Sequence, residues 1–266
     1  MRDDLVEEYL RRIGAERPAD TDLAGLRYLM ERHVLTVPFE NLDYHLDREI
    51  FMDERVLEKI VRGRRGGGCY ELNPAFSYLL TALGYRVEIL PGRVHRPDGL
   101  GPFLGHLALR VWVDAEPWLV DVGFGRNSRH PLSLASRAPQ EDPHGVYRFG
   151  DAADGTVDLH LNGKPLYQVD ERRVRVADFA PTLWWYRTSP ESSFLQGLFC
   201  SVRTPDGLVT LKGNTQMSLV AGEERSKRTL ADDAESLAAY EEHFGIRLDR
   251  LPRDPGLGVT AGVRTE

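Results

Sequence analysis

Three side chains in this sequence have the types and surroundings to do chemistry together: Cys69 in RGGGCYELN, His106 at the head of HLALRVWV, and Asp121 inside WLVDVGF. A thiol, an imidazole and a carboxylate point to nucleophilic acyl transfer. The thiolate attacks a carbonyl, the imidazole moves the proton, and the carboxylate fixes the imidazole's tautomer. A free cysteine ionises near pH 8.5, so reaction at neutrality requires surroundings that favour the anion (a free pKa of about 8.5). After Cys69, the apolar residues Leu72, Phe76, Leu79, Leu80 and Leu83 recur at helical spacing up to Gly84. The spacing predicts a helix that starts at about residue 70, with Pro74 inside its first turn. Cys69 then stands at the positive end of the helix dipole. Arg65 adds a nearby positive charge, and Gly66, Gly67 and Gly68 remove bulk so that an acyl carrier can approach the sulfur. The plainer reading is a tight turn with Cys69 filling a core gap. A lone cysteine beside glycines is more often structural, so the weight falls on its partners.

His106 shares its strand face with Ala108, Arg110 and Trp112, while Leu107, Leu109, Val111 and Val113 form a uniformly apolar opposite face. The apolar face belongs to the core, and His106 points the other way. A turn around Asp114 to Pro117 leads into the next strand, where Trp118, Val120 and Val122 are the apolar face and Asp121 lies opposite. An even number of turn residues puts His106 and Asp121 on one side as cross-strand or diagonal neighbours. A satisfied sheet histidine and a turn-side carboxylate are the bland alternatives. An acid in so apolar a run is costly without a partner, which favours the paired reading.

The elements that must position these groups divide along the chain. The first 84 residues read as helices: LVEEYLRRIG with Asp3 or Asp4 as cap and Gly14 as stop, TDLAGLRYLMERH capped by Thr21 or Asp22, and a third through DERVLEKIVRG. VPFENLDYH between them has no helical period and reads as an irregular loop. From Tyr85 the period becomes two, in YRVEIL, HLALRVWV, PWLVDVGF, VYRFG, TVDLHL, KPLYQV and GLVTLKG, a density of short strands that predicts a barrel or sandwich. AESLAAYEEHFG is a capped helix in a smaller α/β region, and the tail from Pro252 is expected to be loosely held.

Composition excludes several classes. The chain has 266 residues, 41% hydrophobic and 28% charged, which is an ordinary globular balance of one or two domains. A net charge of −7 argues against nucleic acid or an anionic membrane as partner. The start MRDDLVEEYL lacks a signal-peptide pattern, no apolar run approaches a membrane span, and the two cysteines form no disulfide framework. A cytoplasmic protein with reduced thiols is expected. GRRGGGC lacks the Lys-Ser/Thr of a phosphate-binding loop, and GFGRNS lacks dinucleotide spacing. There is no HExxH or CxxC, and His130, His144 and His160 are too scattered for a metal, so none is expected. Cys200, in FLQGLFCSV, is expected to be core.

These motifs resemble the arylamine N-acetyltransferases: RGGGCYELN at 65–73 is similar to that family's active-site signature, VPFENL at 37–42 to its upstream loop, GHLALRV at 105–111 to its histidine segment, and LVDVGFG at 119–125 to its aspartate segment, with TSPESSF at 188–194 resembling a later stretch. The resemblance implies an α+β fold in three parts, a helical bundle (1–84), a β-barrel (85–190) and an α/β lid (191–266), around a cysteine-protease-like Cys-His-Asp core. It implies catalysis by Cys69, His106 and Asp121 through a ping-pong acetyl-cysteine route. Acetyl-CoA is the implied co-substrate, and aromatic amines, hydrazines or N-hydroxyarylamines the acceptors. Phe39 and Phe124 match acceptor-pocket positions, Glu40 and Arg65 a structural salt bridge, and Gly105 and Gly125 lie where CoA is expected to pass. The chain departs from the family at Gly105, where threonine is frequent, and at RNSRHPL, which lacks a further glycine.

Other readings share these residues. An amide synthase that releases a polyketide chain as a macrolactam has the same triad but a carrier-bound donor. A cysteine hydrolase or transglutaminase-like enzyme has the same order of Cys, His and Asp, and differs in whether water reaches the acyl-enzyme. A non-catalytic binding module has little use for all three groups. Homo-oligomerisation is left open by the sequence.

Overall fold

A computed structural model describes residues 1–46, 48–220 and 223–252. The first helices, α1 (Asp3–Ile13) and α2 (Leu23–Val34), follow their apolar stripes: Val6, Tyr9, Leu10 and Ile13 of the one pack with Leu26, Leu29 and Met30 of the other. Asp22 caps α2, accepting from the Gly25 N–H at 2.7 Å. In α1 the cap is Arg2, without a side-chain bond. Asp3 and Asp4 lie in the first turn instead, where their charge faces the dipole. Gly14 closes α1 in the left-handed conformation at φ 63°.

The helix expected over DERVLEKIVRG is a short π-type turn, Glu58–Arg62, in which the Gly63 N–H reaches back to the Glu58 carbonyl. The buried Arg12 of α1 holds this segment, donating to the carbonyls of Ile60 at 3.1 Å and Arg64 at 3.3 Å. Helix α3 then runs Cys69–Ala82, so Cys69 is its first residue. Pro74 is the sixth, beyond the expected first turn, and the Tyr70 carbonyl forgoes one intrahelical bond there.

Among the described residues, nine antiparallel strands form a nearly closed barrel sheet. Their order is Leu132–Ser133, Glu116–Val120, His106–Val113, Arg86–Arg96, Lys164–Asp170, Thr156–Leu161, Gly145–Asp151 and Gln140–Asp142, with Gly99–Leu100 paired beside Arg86–Arg96. The two faces of His106–Val113 serve different cores. Leu107, Leu109, Val111 and Val113 pack on the helices, whereas Ala108 joins Leu90, Leu119, Tyr147, Phe149 and Tyr167 inside the barrel. A second sheet, in the order Phe39–Glu40, Phe199–Thr204, Gly207–Lys212, Thr215–Val220 and Glu223–Thr229, carries a third core with α5 (Asp233–Phe244). Between the sheets α4 (Ala180–Thr188) places Leu183 and Tyr186 against the helical core. The fold is α+β. Of the expected C-terminal tail, residues 253–266 lie outside the described residues.

VPFENLDYH is the fastener rather than a plain loop. Phe39–Glu40 pairs with Phe199–Thr204 on one side and bridges Gly67 on the other. The buried Asn41 amide donates to the carbonyls of Phe194 at 2.9 Å and Gly197 at 2.7 Å, while its oxygen accepts from the Phe199 N–H at 2.8 Å. So close an approach requires that residue 66 have no side chain, because a Cβ there would collide with the Pro38 carbonyl. Replacing Gly66 by Ala should therefore destabilise the protein by about 1–3 kcal/mol, the cost of overpacking a filled site. Gly197→Ala, where a Cβ meets nothing within 4 Å, should be near neutral. Urea titrations of the two variants test this. Equal midpoints would mean that the 38–41 segment yields freely.

Candidate active site

The nucleophile's position follows from where α3 begins. Gly68 precedes the helix in extended conformation, and its N–H is held by the Glu71 carboxylate at 3.1 Å. Cys69 thus sits among first-turn N–H groups that lack intrahelical acceptors. On its other side lies Gly123, where a Cβ would stand 2.7 Å from the Cys69 Cα. The segment that follows the aspartate therefore touches the nucleophile through bare backbone.

His106 and Asp121 meet through hairpin register. A two-residue turn, Asp114 (φ 49°) and Ala115 (φ 65°), joins the strands and pairs Leu109 with Val120. Residue 121 then falls level with Ala108, diagonal to His106 and on the same face. The His106 Nε2 lies 2.8 Å from Asp121 Oδ2. This leaves Nδ1 for the sulfur of Cys69, the ring's other hydrogen-bonding side-chain partner.

Asp121 is only 3% exposed, so its charge depends on protein donors. Its Oδ1 accepts from the Asn73 amide and from the Gly123 N–H, both at 2.9 Å, and the Tyr167 hydroxyl bonds to the carboxylate as well. Burial raises the carboxyl's pKa, but the His106 charge and these bonds outweigh it and hold the group below its usual value. For His106, burial acts to lower the pKa. The Asp121 charge and the bonds from Asp121 and Cys69 prevail and raise it well above the ordinary imidazole value. The ring is enclosed by Tyr167 at 4.4 Å and Phe124 at 5.2 Å between centroids. The arrangement can hold an imidazolium beside a sulfur at neutral pH.

Asn73 is a site residue that sequence reasoning passed over. It bonds Asp121, donates to the Leu107 carbonyl at 2.6 Å, and accepts from the Val122 N–H at 2.9 Å. The available signal was its spacing, four residues after Cys69 and so on the same helix face.

A cavity of about 220 Å³ opens over the sulfur and the imidazole. Phe39 and Phe124 both line it, joined by Phe194, Phe199 and Tyr186. Phe39 stacks on Phe199 at 5.2 Å, and Phe194 meets Tyr186 edge-on at 5.2 Å. Gly105 lines the same space, its carbonyl accepting from the Tyr186 hydroxyl at 3.0 Å. Gly125 has φ 78°, and a Cβ there would meet the Phe39 ring at 2.9 Å. Cys200 is fully buried behind Phe39–Glu40, and burial pushes its thiol pKa well above the usual value.

Glu40 and Arg65 do meet, at 2.8 Å, but within a larger buried cluster. Arg65 also pairs with Asp43 at 2.8 Å, and Lys59 pairs with Asp43 at 2.8 Å and Glu71 at 2.6 Å. The positive charge expected of Arg65 is thus neutralised by carboxylates rather than offered to the sulfur. Three acids face two cations here, and Glu71 carries the consequence. Burial first, then the charges of Glu40 and Asp43, raise its pKa to about 7 against the pull of Lys59. The glycines 66–68 also differ from expectation. Gly66 is packed by Pro38, Gly67 by Glu71 and Gly68 by Phe194, so the space they leave is occupied by the protein itself. No group of residues able to hold a metal occurs among the described residues, and no helix there is long and apolar enough to cross a membrane.

Comparison with known proteins places the chain among the arylamine N-acetyltransferases. A family model described as N-acetyltransferase matches residues 22–252. The arylamine N-acetyltransferase of Escherichia coli K12 is 34% identical over 253 residues, covering 92% of this chain and 90% of that protein. Among solved structures, the arylamine N-acetyltransferase of Salmonella typhimurium superposes with a TM-score of 0.86 at 30% identity, covering 92% of each chain. That of Mycobacterium marinum, solved in complex with CoA, gives 0.84 at 32% identity, covering 91% of this chain and 92% of the other.

Two outcomes are expected from the site's electrostatics. Asn73→Ala leaves the Leu107 carbonyl and the Val122 N–H without their partner and Asp121 Oδ1 with one donor fewer, and each buried group left unpaired costs about 1–3 kcal/mol, so stability should fall by about 2–5 kcal/mol; a loss below about 1 kcal/mol would mean that water replaces the amide. Glu71 has a folded pKa of about 7, above its unfolded value of 4.5. Its stabilising contribution is therefore complete below pH 4.5 and is lost as pH rises to about 7. Unfolding free energies across that window should fall less steeply with pH in Glu71→Gln than in the wild type, and parallel curves would contradict the assignment.

Proposed function

The chain belongs to the arylamine N-acetyltransferase family, and from that premise we propose that it transfers acetyl from acetyl-CoA to aromatic amines, hydrazines or N-hydroxyarylamines through an acetyl-Cys69 intermediate. The observation that carries this reading is the continuous line from Asp121 through His106 to Cys69, ending in a small aromatic cavity. In the first half, the Cys69 thiolate attacks the thioester carbonyl and a carbon–sulfur bond forms. First-turn N–H groups of α3 face the developing oxyanion. The bond to CoA then breaks, and His106 gives its proton to the departing sulfur. In the second half, the acceptor nitrogen attacks acetyl-Cys69, His106 takes the amine proton, and the thiolate leaves as the amide is released. Asp121 keeps its proton state throughout and orients the ring.

Phe39 and Phe124 are the acceptor's walls in this scheme, since flat rings pack well on aromatic surfaces. Gly105 and Gly125 border the route by which CoA enters. Glu40 and Arg65 act behind the nucleophile turn, where they fix the 38–43 segment against Gly66 and Gly67. The cavity volume supports a one-ring acceptor over a polyketide chain, because sites for drug-sized ligands run to about 300–1,000 Å³. The near-burial of Cys69, 6% exposed as a residue, supports transfer over hydrolysis.

Intact-protein mass measurement after mixing with acetyl-CoA alone tests the scheme. One acetyl group should appear on the RGGGCYELN peptide and leave on addition of aniline as acetanilide. Cys69→Ser should fold yet lose nearly all transfer. An unmodified wild-type protein, free acetate in place of acetanilide, or an active serine variant would each overturn the proposal.

A further inference from the structure

The helical layer covers the outer face of the barrel sheet only in part. Ile89, on the strand Arg86–Arg96, still packs against the helical core and bridges to Val174. Pro91 and Arg93 share its face by strand alternation but lie beyond that cover. Arg93 stands opposite Gln168 of the strand Lys164–Asp170. Tyr167 and Val169 turn into the barrel core, so Gln168 and Asp170 face outward beside Arg93 and Pro91. A groove of about 520 Å³ lies over this platform, with Leu100, Phe103, Leu104 and Val174 as its apolar walls. It shares no lining residue with the Cys69 cavity. Phe103 and Leu104 line the groove, whereas the next residue, Gly105, lines the cavity.

Two side chains give the groove a defined chemistry. Phe103 is 76% exposed, the most of any large apolar residue among those described, although its backbone is tied down. Its carbonyl accepts from the Thr182 hydroxyl at 3.0 Å, and the Gly105 N–H bonds the Pro102 carbonyl at 3.0 Å. Arg93 donates through Nε to the Gly101 carbonyl at 2.9 Å, and its guanidinium lies over the Phe103 ring, 4.4 Å from the centroid. Among the described residues, no carboxylate forms an ion pair with Arg93. The nearby acids are occupied or distant. Asp158 pairs with His95 at 2.9 Å, and Asp170 with Arg172 at 2.5 Å. Asp154 stands in the turn before Thr156–Leu161, two strands from Arg93 and so about 10 Å across the sheet. An anion entering the groove is therefore drawn to its Arg93 end.

We propose that this groove is a second small-molecule site, which takes flat apolar carboxylates with the carboxylate on Arg93 and the ring system against Phe103, Leu100 and Leu104. Its volume falls within the range of about 300–1,000 Å³ usual for small-molecule sites, and apolar walls with a few placed polar groups are their usual lining. Because Gly101 and Phe103 already hold the guanidinium, its forked donors meet a carboxylate with little further loss of freedom. Binding here is independent of acetyl transfer, since neither the triad nor its cavity takes part.

The probe is 2-naphthoate, with 2-naphthamide as a neutral counterpart of the same shape. Each is titrated into the full chain while backbone amide signals are followed by NMR. Naphthoate should shift the signals of Gly101, Leu104 and Thr156 and bind at least about 10-fold more tightly than naphthamide, the worth of a charge-assisted hydrogen bond. Arg93→Gln should abolish that preference, and Arg93→Lys should keep most of it. Phe103→Ser, at a position with little burial to lose, should weaken both probes by about 3–10-fold through the lost ring contact. Shifts confined to Gly123 and Gly125 beside Cys69 would overturn the proposal. So would equal affinities of the wild type for the two probes, or a Phe103→Ser variant that binds both as the wild type does.

Discussion

The site depends on keeping one carboxylate ionised where water scarcely reaches. Asp121 is nearly buried, and a bare carboxylate in such a place would take up a proton. Its charge survives because partners converge from separate parts of the chain: Asn73 from α3, His106 from the neighbouring strand, the Gly123 N–H from its own segment, and the Tyr167 hydroxyl from across the barrel. Removing one partner of such a pair typically costs about 3–5 kcal/mol, since the other charge remains buried. Folding of the helical part and of the barrel is therefore coupled through a group that also orients the imidazole.

The second buried charge cluster serves the other side of the nucleophile. Glu40, Asp43 and Glu71 surround Lys59 and Arg65, and Glu71 holds the N–H of Gly68 immediately before Cys69. The turn that presents the sulfur is thus clamped from both sides, by polar contacts at Gly66–Gly68 and by the bare backbone of Gly123. Such clamping suits a nucleophile that must accept and release an acyl group without moving far.

Much of this was legible where short-range periodicity carries the information. Alternation in HLALRVWV and WLVDVGF places His106 and Asp121 on one face, and the turn's even length follows from two residues that adopt positive φ. The start of α3 is readable from its apolar spacing. Long-range consequences were not. Nothing local distinguishes glycines that admit a substrate from glycines that admit Pro38, Glu71 and Phe194. The π-type turn at Glu58–Arg62 is set by contacts with Arg12 and by Lys59 reaching the buried acids, which a helical stripe cannot reveal. The outer strand Glu223–Thr229, EERSKRT, has no apolar alternation because it is a fully exposed sheet edge, where charge discourages edge-to-edge pairing.

The central claim is that His106 is an imidazolium at neutral pH because Asp121 stays charged beside it. Nitrogen NMR of selectively labelled histidine reports this directly. Both ring nitrogens of His106 should be protonated at pH 7.5, with titration well above the range of an exposed histidine. A neutral ring at that pH, with one unprotonated nitrogen, would contradict the account.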